Sequence, residues 1–223
     1  MLRKDMMLLV SSVAPFMIGL IFRFGIPQIE KLLEHVLSMD TVLIPYYKIF
    51  DMFLAMITPF FYCFVAAMVV LEERDEHLIN ALIASPLKKS GYFISRILLP
   101  GVIAMVITAV LLPFCTLTTV GLVEYIGMLI MGTLQGIIFA LMIISFSSNK
   151  LEGVAVTKLS SIIMVGCIVP CFVPKSLQYI FAFLPSFWIG KASWNQQNQA
   201  TVVAIVLSAI WIYILNYSNF ALE

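Results

Sequence analysis

The chain has 223 residues, 62% of them apolar and only 11% charged, with a net charge of +1. Soluble domains average roughly half apolar and a quarter charged residues, so this composition excludes that class and points to a polytopic membrane protein. Near-neutrality without a long basic tract gives no field for nucleic acid, and at about 20 apolar residues per crossing the chain holds at most about seven spans and no sizeable soluble domain.

Six apolar segments read as spans within one transmembrane domain, residues 1–223: roughly residues 6–24, 49–71, 97–120, 125–146, 154–173 and 200–217. Arg3 and Lys4 precede the first, as in a signal peptide. The run is long and no Ala-x-Ala follows, so an uncleaved anchor is expected. Between Pro27 and Asp40, Ile29, Leu32, Leu33, Val36 and Leu37 recur at helical spacing, with Glu30, Lys31 and Glu34 on the other side. This predicts a separate helix on the outer membrane surface, a spacer or a lid.

The second span carries Phe50, Phe53, Phe60 and Phe64, with Met52 and Met56 among them. The default reading is a lipid-facing or core stripe. Lys48 and Asp51 lie one turn apart at its outer end, which predicts an i,i+3 ion pair of small energetic consequence, with Glu124 nearby between the third and fourth spans.

A polar island from Glu72 to Arg96 follows. Glu72, Glu73, Asp75 and Glu76 are read as the first turns of a short helix whose positive dipole end they favour, and Leu78, Leu82, Ile79 and Ile83 give it an apolar side. Pro86 biases Ser85 away from helical geometry and ends the element, leaving Lys88 and Lys89 at headgroup level. A solvated loop with snorkelling lysines fits this pattern equally well.

In the fourth span, Gly132, Gly136 and Ala140 recur every four residues, so another helix of the same subunit is expected to approach closely. The four cysteines, Cys63, Cys115, Cys167 and Cys171, fall in or beside apolar segments and read as small fillers. Cys167 and Cys171 share a helix face but lack companion ligands, so no metal site is expected. The only histidines are His35 and His77, and Gly190-Lys191 is followed by Ala192 rather than the Ser or Thr of a phosphate-binding loop. The chain is therefore not expected to be an enzyme or to hydrolyse a nucleotide unaided.

Six crossings with the N-terminus inside place Arg3, Lys4, Arg74, Lys88, Lys89, Arg96, Lys150 and Lys158 on the inner side, and Arg23, Lys31, Lys48, Lys175 and Lys191 outside. That bias puts both termini and the island in the cytoplasm.

The run Glu73-Arg74-Asp75-Glu76, then Leu78, Leu82, Ile83, Ser85-Pro86-Leu87 and Arg96, resembles the cytoplasmic signature of type-2 ATP-binding-cassette exporter permeases. His77 stands where that family usually has glycine, and Arg96 where it usually has lysine. Asn149-Lys150-x-Glu152 and the pattern Gly166-x-x-x-Pro170-x-x-x-Pro174-x-x-Leu177, then Pro185, resemble the family's fifth span and its partly re-entrant outer helices.

The resemblance implies an all-α, six-span permease with a cytoplasmic coupling helix between spans two and three. It implies a non-catalytic subunit in the cell membrane that exports a small hydrophobic or amphipathic substrate. Glu73, Arg74, Glu76, Leu78, Leu82, Ser85 and Pro86 would then dock the ATPase, with Arg96 anchoring the next span and Glu152 at the second cytoplasmic loop. Phe53, Met56, Phe60 and Phe64 would line the exit path. The partners implied are two copies of an ABC ATPase, which binds the ATP and magnesium, a second permease subunit in a homo- or heterodimer, and membrane lipid. An ATP-independent secondary transporter, an intramembrane enzyme and an immunity or sensor subunit on the same plan remain the alternatives.

Overall fold

The computed structural model describes residues 13–37, 41–78, 91–92, 94–195 and 198–221, and no strand occurs among them. Helix α1 runs Val13–Leu37 and contains a π turn at Ile21–Gly25. Helix α2 is Tyr47–Asp75, α3 is Leu99–Cys115, entered through a π turn at Ile94–Leu98, and α4 is Leu122–Phe146. Helix α5, Lys150–Ser161, passes into a 3-10 stretch at Ile162–Cys167. Two short helices follow, α6 (Val169–Phe172) and α7 (Lys175–Gln178), then α8 (Pro185–Asn195) and α9 (Asn198–Ala221).

Five of the described helical stretches are long and apolar enough to cross a bilayer: Val13–Leu37, Ile44–Asp75, Ile94–Cys115, Leu122–Phe146 and Gln199–Asn216. The segment expected as a fifth crossing, residues 154–173, is not among them because its α-helix ends at Ser161. Contacts with α8 explain the change of geometry. Ser186 Oγ donates to the Ile163 carbonyl at 2.6 Å, and any Cβ at Gly166 would strike Ser186. Pro170, without an N–H, cannot restore the α ladder beyond.

Two helices form the centre. The most apolar stretch of α2 is 67% buried and that of α4 61%, against 22% for α1, 33% for α3 and 22% for α9. Gly132 and Gly136 bring the α4 backbone against Ala55 and Pro59 of α2. These pairs, with Arg74 reaching Ser147, make the two helices parallel. Contacts of Asp51 with Leu117 and of Glu73 with Arg96 make α3 antiparallel to them.

At the end of the bundle where α2 begins, two sequence expectations are corrected. Pro27 does not start a separate helix: α1 continues through it, because the π turn ahead of it already opens the hydrogen-bond ladder that proline's missing N–H would break. Glu30 faces inward, accepting Val42 N at 2.8 Å and Leu43 N at 2.6 Å, while Ile29, Leu32 and Val36 are exposed. Nor do Lys48 and Asp51 pair. Lys48 meets Glu124 across the bundle at 3.2 Å, and buried Asp51 accepts Leu117 N, Thr118 N and Thr118 Oγ1 at 2.7, 3.0 and 2.6 Å. The unpaired amides of the turn after α3 hold this carboxylate more fully than one lysine on its own helix could.

The segment between α5 and α9 leaves this end and returns to it. Tyr46 stacks on both Phe172, at 5.5 Å, and Trp194, at 6.0 Å. Between those two residues, the Phe183 carbonyl accepts from Trp211 Nε1 at 3.0 Å, more than three turns into α9. Gln178 Nε2 serves the carbonyls of Pro170 and Val173 at 3.2 and 2.7 Å, which meets the polar demand of the break.

Candidate functional site

At the opposite end, the last turn of α2, the approach to α3 and the α4–α5 junction converge. Glu72, Glu73 and Asp75 belong to that last turn of α2, not to the start of a new helix. Carboxylates at a helix C-terminus oppose the dipole, so their positions depend on partners from elsewhere. Glu73, only 9% exposed, is the hub. Its Oε2 accepts Tyr92 Oη at 2.8 Å and Arg96 Nε at 3.2 Å, and Arg96 Nη2 closes a second bond to Oε1. This two-point guanidinium contact joins the end of α2 to the start of α3 with fixed orientation.

Glu72 and Asp75 bind the other neighbour. Lys150 Nζ lies 3.3 Å from Glu72 Oε2, and the Lys150 amide donates to Asp75 Oδ2 at 3.1 Å. That amide is one of the unpaired donors of the first turn of α5, so a carboxylate of α2 caps α5 from outside. Asn149 Oδ1 accepts Glu152 N at 2.9 Å, and Glu152 Oε2 accepts Ser148 N at 2.7 Å. The sequence Asn-x-x-Glu thus acts as a reciprocal cap. Arg74 folds back on α4, donating to the carbonyls of Ile144 at 3.2 Å and Ser147 at 2.9 Å.

Beyond Asp75 the chain turns sharply. Leu78 N donates to Glu73 O at 2.9 Å and His77 N to Arg74 O at 3.1 Å, with His77 at φ 56°. This is a Schellman ending, whose left-handed position suits glycine and is filled here by histidine. Burial, the Glu73 hydrogen bond and the Glu73 charge push the Tyr92 phenol well above the ordinary tyrosine range.

The predicted docking residues thus divide. Glu73, Arg74, Arg96 and Glu152 are engaged in bonds within the subunit. Glu76 and Leu78 are exposed. Leu82, Ser85 and Pro86 lie outside the described residues, as do Ile79, Ile83, Lys88 and Lys89. Sequence reading missed Tyr92 and the roles of Glu72, Asp75 and Lys150, whose partners lie 19 to 78 residues away. Of the predicted pathway residues, Met56 is fully buried within the subunit's own core. Phe60 is half-buried, edge-on to Phe139 at 5.0 Å and stacked with half-buried Phe64 at 6.4 Å, while Phe53 is likewise half-buried. Among the described residues no group of three His, Cys, Asp or Glu side chains could hold a metal ion.

The family model described as fluoroquinolones export permease protein Rv2686c-like matches residues 1–218. The chain belongs to this family. Two curated relatives from Mycobacterium tuberculosis, the fluoroquinolones export permease proteins Rv2686c of strain ATCC 25618 / H37Rv and MT2760 of strain CDC 1551 / Oshkosh, are each 26% identical over 145 residues. The match covers 61% of this chain and 55% of each relative, so the chain spans about half the length of the curated relatives it matches. No solved structure matches. Membership in this export permease family agrees with the type-2 ATP-binding-cassette resemblance, and with its apolar helices the chain is a multi-pass protein of the bacterial cell membrane. The convergence of α2, α3, α4 and α5 around Glu73 is the candidate site within this permease.

Proposed function

We propose that this chain is the membrane-spanning, non-catalytic subunit of an ATP-binding-cassette exporter. In this reading the broken segment from α5 to α6 completes six crossings, both termini face the cytoplasm, and residues 173–184 form a re-entrant hairpin open to the outer side. Two ATPase subunits bind ATP and magnesium and dock on the chain between spans two and three of each of two permease subunits. The cargo is a small amphipathic compound of the fluoroquinolone kind, taken from the name of the relatives.

The single observation that carries the proposal is the Glu73 hub. A force applied at Glu76, Leu78 and the segment that follows reaches both α2 and α3 at once, because the Arg96 fork and the Tyr92 hydrogen bond tie them together. Lys150 extends the same connection to α5. A rigid input shared by three helices suits rocking of a bundle between inward-open and outward-open states. A loosely attached loop would absorb the same push.

The test is reconstitution in vesicles with a candidate ATP-binding-cassette ATPase subunit from the same organism, reading ATP hydrolysis and norfloxacin accumulation together. Charge reversal at Glu76, Glu76→Lys, or Leu82→Asn is expected to uncouple the two readouts while assembly persists. Norfloxacin movement by the permease alone, without any ATPase, would overturn the proposal.

A further inference from the structure

A cavity of about 950 Å³ opens at the end of the bundle opposite the Glu73 hub, between the first turns of α4 and α9 and the last of α8. Its size is at the upper end of clefts that hold drug-sized ligands, about 300–1,000 Å³. The aromatic stripe of α2 does not line it. Three features of its wall are unusual together. Lys48 and Glu124 form one wall as an ion pair at 3.2 Å, their side chains 24% and 26% exposed. Met128 and Met131 supply a deformable apolar surface. Ser193, 6% exposed, belongs to the cavity wall, and its Oγ, closed off from solvent just behind that wall, has no hydrogen-bond partner among the described residues.

A buried hydroxyl without a partner is disfavoured unless something supplies one. The ion pair narrows the class of ligand. A partly exposed pair of this kind is weakly held, so its members can exchange partners at small cost. A ligand with one charge would take one member and strand the other. A ligand carrying both a carboxylate and an ammonium group satisfies both, and an apolar body between them meets the two methionines.

We propose that this cavity binds a zwitterionic amphipath of drug size, its carboxylate on Lys48, its ammonium group on Glu124, its apolar body on Met128 and Met131, and a polar atom on Ser193. The inference rests on reading the chain as an exporter of amphipaths, and it assigns the cargo a site on the release side. Shape without charge would give a site indifferent to the ligand's ionisation, which is the alternative the experiment separates.

Binding of norfloxacin, a zwitterion, and of its methyl ester, which lacks the carboxylate, would be measured by equilibrium dialysis on the purified protein in lipid nanodiscs. Wild type is expected to bind the acid saturably and at least tenfold more tightly than the ester. Ser193→Ala should weaken binding about fivefold, the loss of one hydrogen bond. The double variant Lys48→Gln/Glu124→Gln strands no charge and should bind acid and ester alike. Val123→Trp, placed at a 74% exposed position on the cavity wall, should obstruct binding without disturbing the core. Equal affinity in wild type, Ser193→Ala and Val123→Trp would overturn the proposal, and so would absence of saturable binding. Binding without ATP-driven transport in vesicles would sink the exporter reading while supporting the cavity. Transport with unchanged KM in all three variants would sink the cavity and leave the exporter reading standing.

Discussion

The main chain of Gly132 in α4 covers the carbonyl of Ala55 in α2, the acceptor that Pro59 leaves without its helical donor. Proline removes the N–H that would close this bond, and its ring would normally force a kink. Here the neighbouring helix, bare of side chain at Gly132 and again at Gly136, fills the gap. A Cβ at Gly136 would lie 2.7 Å from Pro59 Cβ, and one at Gly132 would strike the Ala55 oxygen itself. The obstacle is backbone in a central helix and cannot swing aside.

Gly132→Ala is therefore expected to destabilise the protein by about 1–3 kcal/mol or more, as overpacking of a closed interface does. Gly25→Ala is the control, because a Cβ there meets only Ile21 Cγ2 at 3.6 Å. Thermal unfolding in one detergent would compare the two. Equal melting temperatures would mean that the α2–α4 contact relaxes freely.

The Glu73–Arg96 contact is expected to couple the two residues by about 1–3 kcal/mol in a double-mutant cycle built from Glu73→Gln and Arg96→Gln. The figure is set below that of a fully buried pair because the Arg96 side chain is 38% exposed. Arg96→Lys keeps the charge but loses the two-point geometry, so it should recover only part of the loss. Additive single variants would reduce the hub to a surface contact.

Tyr92 makes the same hub sensitive to alkali. Its folded-state pKa is raised above the unfolded value, first by burial and then by the Glu73 hydrogen bond and charge. The stability that this contributes is complete below the ordinary tyrosine pKa of about 10. It declines as pH rises beyond that value toward the folded one. Tyr92→Phe should thus lose stability near neutrality, through the missing donor to Glu73, yet show a flatter decline between pH 10 and 12. Parallel wild-type and Tyr92→Phe curves across that interval would contradict the assignment.

The second, third, fourth and last of the expected apolar spans were legible to within about five residues, because a crossing imposes a length that composition reveals, whereas the first, expected to end at Phe24, has a helix that runs on to Leu37. The four-residue repeat of Gly132 and Gly136 likewise announced a close contact, since only small residues permit one. What stayed hidden was set by distant partners. Glu72, Glu73 and Asp75 look like a helix start until Arg96, Tyr92 and Lys150 arrive to neutralise a helix end. Lys48 has an acid one turn away, yet pairs with Glu124, because the turn after α3 claims Asp51. The break at Ile162–Cys167 sits in an unbroken apolar run whose 3-10 geometry is dictated by Ser186 of another helix. Glu76 and Leu78, both exposed, became candidate contacts only through the family resemblance, since the amphipathic pattern alone fitted a solvated loop equally well.

Gln135 in α4 is 1% exposed, and neither its Nε2 nor its Oε1 has a partner among the described residues. Ser208 in α9, 1% exposed, has an unpartnered Oγ as well. Gly127 faces Thr201 across these two helices, and Ile138 and Leu215 share one core cluster further along them, so α4 and α9 run parallel. Seven or eight residues beyond Gly127 and Thr201 bring Ser208 and Gln135 to the same level. An amide left dry disfavours the closed seam by about 1–3 kcal/mol and loses that penalty when water or cargo enters. Gln135→Leu should raise the thermal stability by a similar amount and, in the exporter proposed above, slow transport, because it favours the closed arrangement. A lowered melting temperature would mean that the amide already has a partner in the membrane, and unchanged turnover would mean that the seam stays shut throughout the cycle.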